Sequence, residues 1–550
     1  MSDFGVIYYV DGVKNLYRKD VDLSLPVWNG LNSFQILYNR LSKLKTAGSV
    51  LLLPQPLGVV FANFAAKSGT EIIEYNPSEI LEKPYGLNQQ HWFLEDSSGN
   101  DSWYGKAFVD AFEKNPNWKA AVLVPLTNLL IDANDVAESL ELYEREAFEI
   151  CFAEERIPGA EWAIFNSELI RGLYKSNPEV MTTRGALYWA ARKPLYPFKV
   201  GAWHCPRIRP ALPANLRLNS QRAFKTYQSV ASAGFDSPDF SYGDFLLNSG
   251  WEKTYAGYAP LQVNIEPSSF CNARCESCPN SNLKREKSFL STEAFEKIIA
   301  GIDDKDQRFV FSGVGEPLLN GNLSEMLRLA SGFNITLQTS LQVPFKKDFP
   351  FEAVDHIRIS IDSDTQKGFE RLRPGCSWQN INEFIEKASE CKTSYETIFP
   401  EIGLDYLRRG TSEKDIMPFM KKWRVVCEPV FKGNFFRWPF NQRPNEINWY
   451  QVSGEAAYCG LTKNTSTVSF EPFKRRPCRN AVLSITVLSD GTVTGCPFDA
   501  EGNNFKLGSL SENTLMEIWN SEAAKTWREK HLNKEFNGYC CDCHDWYRVL

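Results

Sequence analysis

Two groups of closely spaced cysteines carry the clearest chemical pattern in the sequence. In the first group, Cys271, Cys275 and Cys278 lie in SSFCNARCESCPNS with the spacing C-x3-C-x2-C. Thiolates are soft ligands that suit iron–sulfur clusters or zinc. Three thiolates on one tight loop can hold three irons of a cubane and leave the fourth iron without a protein ligand. The spacing therefore predicts an open metal site, with a zinc knuckle completed by a fourth ligand elsewhere as the alternative.

The second group lies near the C-terminus and predicts a closed four-thiolate site. The segments AVLSITVL and TVTGC predict two strands joined by the turn SDGT. One helix is predicted over LMEIWNSEAAKTWREKH, after which the chain returns to the last cysteines. The four predicted ligands are Cys478, Cys496, Cys540 and Cys543. A zinc ribbon built from the same four side chains is the alternative.

The remaining cysteines that we considered have no assigned metal. Cys459 and Cys541 would each ligate a further cluster, donate a proton or hydrogen atom, or be inert, because the role of a thiol depends on its pKa and exposure. Cys151 and Cys205 are the only two of the 14 cysteines before residue 270, and we predict ordinary packed or surface thiols there. The concentration of the others in the C-terminal half favours metal binding over a disulfide framework.

Composition limits the class of protein. The chain has 550 residues, enough for about two to four domains, and its 43% hydrophobic and 23% charged residues are globular values. Its formal charge of -6 gives no general attraction to nucleic acid or anionic lipid. No signal-like N-terminus is visible, and the most apolar stretch, residues 50–66, is broken by Pro54 and Pro56. We therefore expect a soluble cytoplasmic protein with no nucleic-acid or membrane partner.

Residues 1–200 alternate short β-type runs with helical stretches, as is typical of an open α/β sheet. The β-type runs include GVIYYV, SVLLLP, GVVFANF and AAVLVPL, and helices are predicted over FQILYNRLSKL and DVAESLELYERE. Residues 201–258 are rich in Pro, Ser, Tyr and Asn without sustained periodicity, so we predict a connecting region with short helices.

A second β/α series occupies residues 259–440. Strands are predicted over LQVNIEP, FVFSGVG, ITLQTSL, HIRISID and PEIGLDYL, and helices over TEAFEKIIAGI, WQNINEFIEKASE and EKDIMPFMKKW. Such a series closes most naturally into a parallel barrel or partial barrel, with functional residues at the C-terminal ends of the strands. Residues 441–550 lose this alternation and gain cysteines, which predicts a small metal-stabilised domain.

The three-cysteine loop resembles the signature of the radical S-adenosylmethionine (SAM) superfamily. The resemblance implies a catalytic 4Fe–4S cluster on Cys271, Cys275 and Cys278, whose open iron chelates the amino and carboxylate groups of SAM. In that superfamily an electron from the cluster cleaves SAM to methionine and a 5'-deoxyadenosyl radical, which abstracts hydrogen from a substrate. It also implies that residues 259–440 form a partial (β/α)6 barrel of the TIM type.

Motifs at the predicted strand ends resemble further parts of that superfamily. FSGVGEPLL is similar to its glycine-glycine-glutamate motif, in which backbone and carboxylate groups meet the SAM ammonium group, although Val314 replaces one glycine. The predicted SAM contacts are Gly315, Glu316, Thr339, Ser340, Ser360, Asp362 and Arg371, with Arg373 as the other candidate arginine. Ser277 stands where the superfamily usually has an aromatic residue beside the adenine, which puts adenine stacking there in doubt.

The C-terminal stretch resembles the SPASM or Twitch extension found after many radical SAM barrels. The LGSL turn and the EIWNS helix carry this resemblance together with the cysteines. Full SPASM domains hold two auxiliary clusters with seven or more cysteines. Because this chain ends soon after Cys543, the prediction is one auxiliary 4Fe–4S cluster in a Twitch-like arrangement, with two auxiliary clusters as the alternative. The order of domains also resembles a family of spirochaete SPASM proteins of unassigned function.

The N-terminal region weakly resembles the GT-A fold of nucleotidyltransferases and glycosyltransferases. Those enzymes need a Gly-rich basic phosphate loop and an Asp near the central strand to hold magnesium. Here YYVDGVKNLYRKD lacks the Gly-rich spacing, and PLTNLL has Asn128 but no acidic residue until Asp132. We therefore predict a degenerate domain that binds substrate, a partner or a sugar nucleotide, with a purely structural α/β module as the alternative.

Together these patterns predict a radical SAM enzyme acting on an unknown peptide or small molecule. Peptide modification and alcohol or carbohydrate oxidation are the leading reactions, and the resemblance implies an electron donor such as flavodoxin or ferredoxin. Two rival functions stay open. One is a nucleotide-sugar or cytidylyl transferase whose C-terminal half is a metal-stabilised accessory, and the other is a non-catalytic metal-binding scaffold.

Overall fold

Two sheets organise the chain, one in each of its compact units, Met1–Tyr255 and Ala256–Leu550. The computed structural model describes residues 3–10, 25–55, 57–75, 105–154, 156–176, 199–204, 212, 214–275, 278–302, 307–394, 400–407, 416–427, 447–450, 475–541 and 543. None of the described helices is both long and apolar enough to cross a membrane.

The first unit contains a mixed seven-stranded sheet. Its strands are β1 (Phe4–Tyr9), β2 (Gly48–Pro54), β3 (Glu71–Tyr75), β4 (Ala120–Pro125), β5 (Ile150–Glu154), β6 (Ala163–Asn166) and β7 (Val200–His204). They lie in the order β3-β2-β1-β4-β6-β5-β7, and β6 runs antiparallel to both of its neighbours. The helices are α1 (Ser33–Leu41), α2 (Gly58–Ser68), α3 (Gly105–Lys114), α4 (Ala133–Glu146), α5 (Ser167–Ser176), α6 (Gln221–Val230), α7 (Tyr242–Asn248) and α8 (Trp251–Tyr258).

One predicted strand of this unit is wrong. GVVFANF lies in α2, although its two β-branched valines favour a strand. Val59 and Val60 are 81% and 51% exposed, whereas Phe61 and Ala65, one helical turn apart, are buried. The helix ends at Gly69, which adopts a left-handed φ of 69° and donates its N–H to the Ala65 carbonyl. Burial of one helical stripe thus outweighs the local strand propensity.

The second unit contains a nine-stranded sheet that confirms the predicted parallel β/α series. Its strands are β8 (Gln262–Ile265), β9 (Arg308–Phe311), β10 (Asn334–Thr339), β11 (His356–Ser360), β12 (Glu401–Leu407), β13 (Ile447–Tyr450), β14 (Ser484–Val487), β15 (Thr492–Thr494) and β16 (Lys506–Ser509). Strands β8 to β13 are six consecutive parallel neighbours. On the other side of β8, β14 adds in parallel and β15 and β16 follow antiparallel.

Helices of this unit follow the strands. They are α9 (Thr292–Ile299), α10 (Leu323–Leu329), α11 (Gln366–Leu372), α12 (Trp378–Ser394), α13 (Ile416–Cys427), α14 (Arg479–Leu483), α15 (Leu515–Trp519) and α16 (Glu522–Leu532). Alternate side chains of the parallel strands, among them the register partners Val263, Phe309 and Ile335, are fully buried in one apolar core. Their neighbours Asn264 and Thr336, which point to the other face, are buried as well. The sheet is therefore covered on both faces.

Two details of the predicted C-terminal domain are corrected. The first half of AVLSITVL is the short helix α14, and only Ser484–Val487 forms a strand. The single predicted helix is two helices, α15 and α16. Ser521 begins the second one, because its hydroxyl accepts the N–H of Ala524 as an N-cap. The antiparallel hairpin of β14 and β15 is confirmed.

Candidate functional site

The three-cysteine loop begins directly after β8 and is held by the loop that follows β10. The Nε2 of Gln342 lies 2.9 Å from the Sγ of Cys271, and its Oε1 accepts the N–H of Asn272 at 2.7 Å. The N–H of Arg274 donates to the carbonyl of Pro374 at 2.8 Å. Gln342 is a contact that sequence reasoning missed. In the sequence its only signal is its position two residues beyond the predicted SAM contact Ser340.

Glycines let neighbouring loops approach the cysteine loop at backbone distance. A Cβ on Gly315 would lie 2.0 Å from the carbonyl oxygen of Ser268. A Cβ on Gly375, whose φ is 95°, would lie 2.4 Å from the carbonyl oxygen of Asn272. No larger residue fits at either position without moving the backbone. The predicted Gly315 therefore contributes close approach of its loop to the residues just before Cys271.

The thiols of the first group influence one another electrostatically, so the fold brings them together. The pKa of Cys278 is raised to about 11, mainly by burial, and charge on Cys275 and Cys271 contributes to this rise. The Sγ of Cys278 also lies 4.0 Å from the carbonyl oxygen of Val314. Metal ligation requires thiolates, so a cationic metal centre has to compensate for burial and mutual repulsion at this loop. The donor set fits an iron–sulfur cluster.

Glu316, in the loop that follows β9, is a buried carboxylate that accepts several hydrogen bonds. Its Oε1 accepts the hydroxyl of Thr339 at 2.6 Å and the N–H of Leu318 at 3.2 Å. Its Oε2 accepts the N–H of Ser340 at 3.0 Å. Burial raises the pKa of Glu316, while these hydrogen bonds and the charge of Arg373 lower it. The three predicted polar residues Glu316, Thr339 and Ser340 thus form one connected group at adjacent strand ends.

Arg373 joins this group to the end of β11. Its Nε donates to the Oδ2 of Asp362 at 2.8 Å, and its Nη1 donates to the Ser340 hydroxyl at 3.1 Å. Leu341 and Asp362 beside it adopt left-handed φ values of 52° and 58°, which few non-glycine residues do outside functional sites. Arg371, by contrast, is exposed and has no side-chain hydrogen bond or ion pair with the described residues.

Two further predicted residues give less information. Ser360 is the last residue of β11 and is 9% exposed, next to the strand ends just described. Ser277, which stands where the radical SAM resemblance implies an aromatic residue, lies outside the described residues.

A network missed by sequence reasoning joins the end of β8 to the C-terminal hairpin. Glu266 accepts the N–H groups of Val314 at 3.2 Å and Ser489 at 3.0 Å. Arg285 pairs with the same carboxylate and donates to the Ala500 carbonyl at 2.6 Å. Both charged side chains are buried. The glutamate that starts the cysteine loop thus also holds the backbone of the FSGVGEPLL loop.

The C-terminal cysteines lie around the start of α14 and the end of α16. Cys478 is the N-cap residue of α14, and its side chain makes no capping hydrogen bond there. The pKa of Cys478 is raised to about 11, mainly by burial, and charge on Cys540 contributes to this rise. The pKa of Cys540 is raised to about 12, mainly by burial, and charge on Cys543 contributes to this rise. These influences place Cys478, Cys540 and Cys543 in one neighbourhood.

The remaining cysteines are placed as follows. Cys496 follows β15, and its carbonyl accepts the N–H of Asp499 at 3.1 Å. Cys541 is exposed and its sulfur lies 3.2 Å from the Phe536 carbonyl, whereas Cys459 lies outside the described residues. Within the described ranges, no three Cys, His, Asp or Glu side chains are already arranged to hold a metal ion. The assignment of either set as ligands rests on donor chemistry and proximity.

The end of β4 in the first unit holds the residues considered for magnesium. The amide Nδ2 of Asn128 donates to the Glu161 carbonyl at 2.8 Å, and Asn128 is fully buried. Asp132 caps α4 through Asn134 at 2.9 Å and accepts the N–H of Tyr242 at 3.0 Å with its other oxygen. Both side chains therefore have structural bonds to the surrounding chain.

Comparison with protein families identifies two domains. Residues 265–407 match the model of the radical SAM superfamily, and residues 478–544 match the model of SPASM, an iron–sulfur cluster-binding domain. The first match begins in the last residue of β8 and ends with β12, and the second begins at Cys478. The chain thus carries a radical SAM domain followed by a SPASM domain. These domains imply a 4Fe–4S cluster, SAM and auxiliary iron–sulfur clusters.

Individual relatives are distant. A tungsten-containing aldehyde ferredoxin oxidoreductase cofactor-modifying protein of Pyrococcus furiosus is 22% identical over 322 residues, covering 51% of this chain and 86% of the relative. SuiB of Streptococcus suis bound to the precursor peptide SuiA is 14% identical, covering 66% of this chain and 80% of SuiB, with a TM-score of 0.35. A cytidylyltransferase from Leptospira borgpetersenii is 16% identical, covering 44% of this chain and 92% of that one, with a TM-score of 0.33.

Proposed function

We propose that the protein uses SAM and a cluster on Cys271, Cys275 and Cys278 to abstract hydrogen from a peptide or from an alcohol or carbohydrate, with an auxiliary cluster nearby. The observation that carries the proposal is the convergence of four successive strand ends at the cysteine loop. The bound cofactors supply the radical chemistry, and the protein binds, orients and shields them.

Side chains at these strand ends have defined tasks in the proposal. Glu316 offers a carboxylate to the SAM ammonium group, and the Thr339 hydroxyl and Ser340 N–H orient that carboxylate. Arg373, fixed by Asp362, offers its guanidinium to the SAM carboxylate. Gln342 holds Cys271 at the start of the cluster loop. Glu316 and Arg373 each carry the charge opposite to that of the SAM group that they would contact.

The pairing of domains supports the proposed substrate class. By resemblance to other radical SAM proteins with a SPASM extension, an auxiliary cluster would accept an electron from an oxidised substrate or ligate a peptide. Peptide modification and alcohol or carbohydrate oxidation are therefore the two reactions that we propose. The electron for the first cluster would come from a small donor such as flavodoxin or ferredoxin.

A nucleotide-transferring function has less support. Magnesium-dependent transfer needs carboxylates free to hold the metal. The carboxylate oxygens of Asp132 accept the N–H groups of Asn134 and Tyr242. Asn128 carries an amide instead of a carboxylate and is buried. We propose that the first unit is a degenerate binding domain. Adding magnesium is therefore expected to give no nucleoside triphosphate turnover above background.

The test of the proposed function is formation of 5'-deoxyadenosine from SAM. Anaerobically reconstituted, dithionite-reduced protein is expected to form it, and iron analysis is expected to give at least two clusters per chain. Absence of the product despite a reducible cluster would overturn the proposal and leave a metal-binding scaffold. Bound zinc in colourless protein would lead to the same conclusion.

The two candidate arginines allow a matched comparison. We expect Arg373→Met to weaken SAM binding roughly 10- to 100-fold, because a largely buried guanidinium that is paired with Asp362 is lost. Arg371→Met removes an exposed arginine two residues away and is expected to change the Kd by less than about twofold. Equilibrium dialysis of the reconstituted protein against SAM measures both. Equal effects of the two substitutions would contradict the assignment of Arg373.

A further inference from the structure

Helix α16 presents two nitrogen-bearing rings, Trp527 and His531, on one side. The residues are four apart, so they lie on the same helical face, and their ring centroids are 4.4 Å apart. Phe505 packs against Trp527 at 4.8 Å, and Phe536 packs against His531 at 5.5 Å. The two rings are thus fixed by aromatic neighbours.

The indole of Trp527 lies against the backbone just before Cys496. A Cβ built on Gly495 would be 2.4 Å from the Trp527 Nε1, so the indole occupies the space that the absent side chain leaves. The Nε1 atom is buried and has no hydrogen-bond partner among the described residues. A buried indole N–H is therefore held beside a cysteine of the SPASM domain.

The imidazole of His531 lies beside a second cysteine of that domain. Its Nε2 is 4.0 Å from the Sγ of Cys540, and the residue is 2% exposed. Its Nδ1 is buried and is unpartnered within the described ranges. The Nε2 of His531 therefore faces the Cys540 sulfur, whereas its Nδ1 has no hydrogen-bond partner among the described residues.

Arg475 brings a positive charge to the same place. Its Nη1 donates to the Cys541 carbonyl at 2.7 Å, its Nη2 donates to the Cys540 carbonyl, and its guanidinium stacks on Phe536 at 3.9 Å. Its Nε, however, is buried without a partner in the part of the chain that the structure describes. The guanidinium is thus anchored at two carbonyls with one N–H left over.

Two buried N–H groups beside one set of cysteines need a physical explanation, because native proteins rarely leave a buried N–H without an acceptor. They are the Nε–H of Arg475, whose guanidinium is bound to the Cys540 and Cys541 carbonyls, and the Nε1–H of Trp527, which lies against Gly495 next to Cys496. A neutral imidazole has one N–H, so when the Nε2 of His531 donates to the Cys540 sulfur, its Nδ1 carries no proton. Thiolate and sulfide sulfurs of a cluster are acceptors, and N–H donors to them are known to set cluster potentials.

We propose that Arg475, Trp527 and His531 form a donor shell around the auxiliary cluster that stabilises its reduced, more negatively charged state. The proposal rests on the proposed function, because it requires the auxiliary cluster on the C-terminal cysteines. Hydrogen bonds and a positive charge next to the sulfurs raise the reduction potential. This shell makes the auxiliary cluster an electron acceptor. Of the proposed roles of that cluster, it favours acceptance of an electron from an oxidised substrate over ligation of a peptide.

The test is the midpoint potential of the auxiliary cluster, followed by EPR in a potentiometric titration of reconstituted protein. Trp527→Phe keeps the ring and removes the N–H. We expect it to reduce the equilibrium constant for cluster reduction by at least about tenfold, which is 59 mV for a one-electron couple. Trp519→Phe is the matched control, because the Trp519 indole already donates to the Gly257 carbonyl at 3.3 Å. It is expected to leave the potential unchanged.

A second measurement guards against a variant that loads poorly. Pulsed EPR of the reduced native cluster is expected to detect an exchangeable proton coupling that is lost in D2O and reduced by Trp527→Phe. An unchanged potential and unchanged coupling in a variant that retains the cluster would overturn the donor shell. Absence of a second cluster in the native protein, seen by iron analysis, would instead overturn the proposed function on which it rests.

Discussion

Replacing Cys275 with alanine is expected to abolish formation of 5'-deoxyadenosine. The middle thiolate of C-x3-C-x2-C is lost, and two thiolates on the loop do not hold a cubane with one open iron. We expect the variant to fall to the background rate and to lose about half of its iron, because the auxiliary site is separate in sequence. Liquid chromatography of SAM products and iron analysis of the reconstituted protein measure both effects.

Cys151→Ala is the matched control for this loss. Cys151 is a buried thiol in β5 of the first unit, so its replacement tests whether removal of any cysteine impairs reconstitution. It is expected to retain both product formation and iron. Persistence of 5'-deoxyadenosine in Cys275→Ala above the level of metal-free protein would refute the assignment of the catalytic cluster to this loop.

Arg285→Met is expected to be the most destabilising of the substitutions considered. Arg285 and Glu266 have side-chain exposures of 7% and 2%, so removing the arginine leaves a buried carboxylate without its counter-charge. The expected loss is about 3 kcal/mol in the free energy of unfolding of the second unit. Urea denaturation of reconstituted protein, followed by tryptophan fluorescence, measures it.

The double variant Glu266→Gln/Arg285→Met separates charge from packing. Removing both charges is expected to recover a large part of the lost stability, because no buried charge is then left alone. Arg371→Met, an exposed arginine in the same unit, is expected to change stability by less than about 0.5 kcal/mol. If Arg285→Met behaved like Arg371→Met, the buried pair would not contribute as we argue.

The placement of the site could be predicted because parallel strands end at one edge of their sheet. Strand runs of alternating or continuous apolar residues identified β8 to β11, and the polar residues immediately after them were then expected to meet. The structure connects Glu316, Thr339 and Ser340 as that reasoning requires. Long strand and helix patterns were predictable because they reflect the burial of one face.

Contacts between distant loops could not be predicted in this way. Arg371 lies in the last turn of α11, whereas Arg373 is the C-cap residue after it and its guanidinium contacts Asp362. Glu266 and Arg285 are separated by the whole cysteine loop, and each alone reads as an ordinary surface charge. The pattern of a single sequence does not show which distant residue a side chain will contact, because tertiary packing decides that contact.

The pairing of β14 with β8 has a consequence for the order of events during synthesis. Asn264 in β8 meets Thr486 in β14 across 222 residues of chain. At ribosomal rates that interval lasts roughly 10 to 45 s. During this time the first strand of the parallel series has an unpaired edge, immediately before the three cysteines. The nascent sheet is therefore incomplete until the C-terminal hairpin emerges, and a chain cut before that hairpin would expose a strand edge suited to intermolecular pairing.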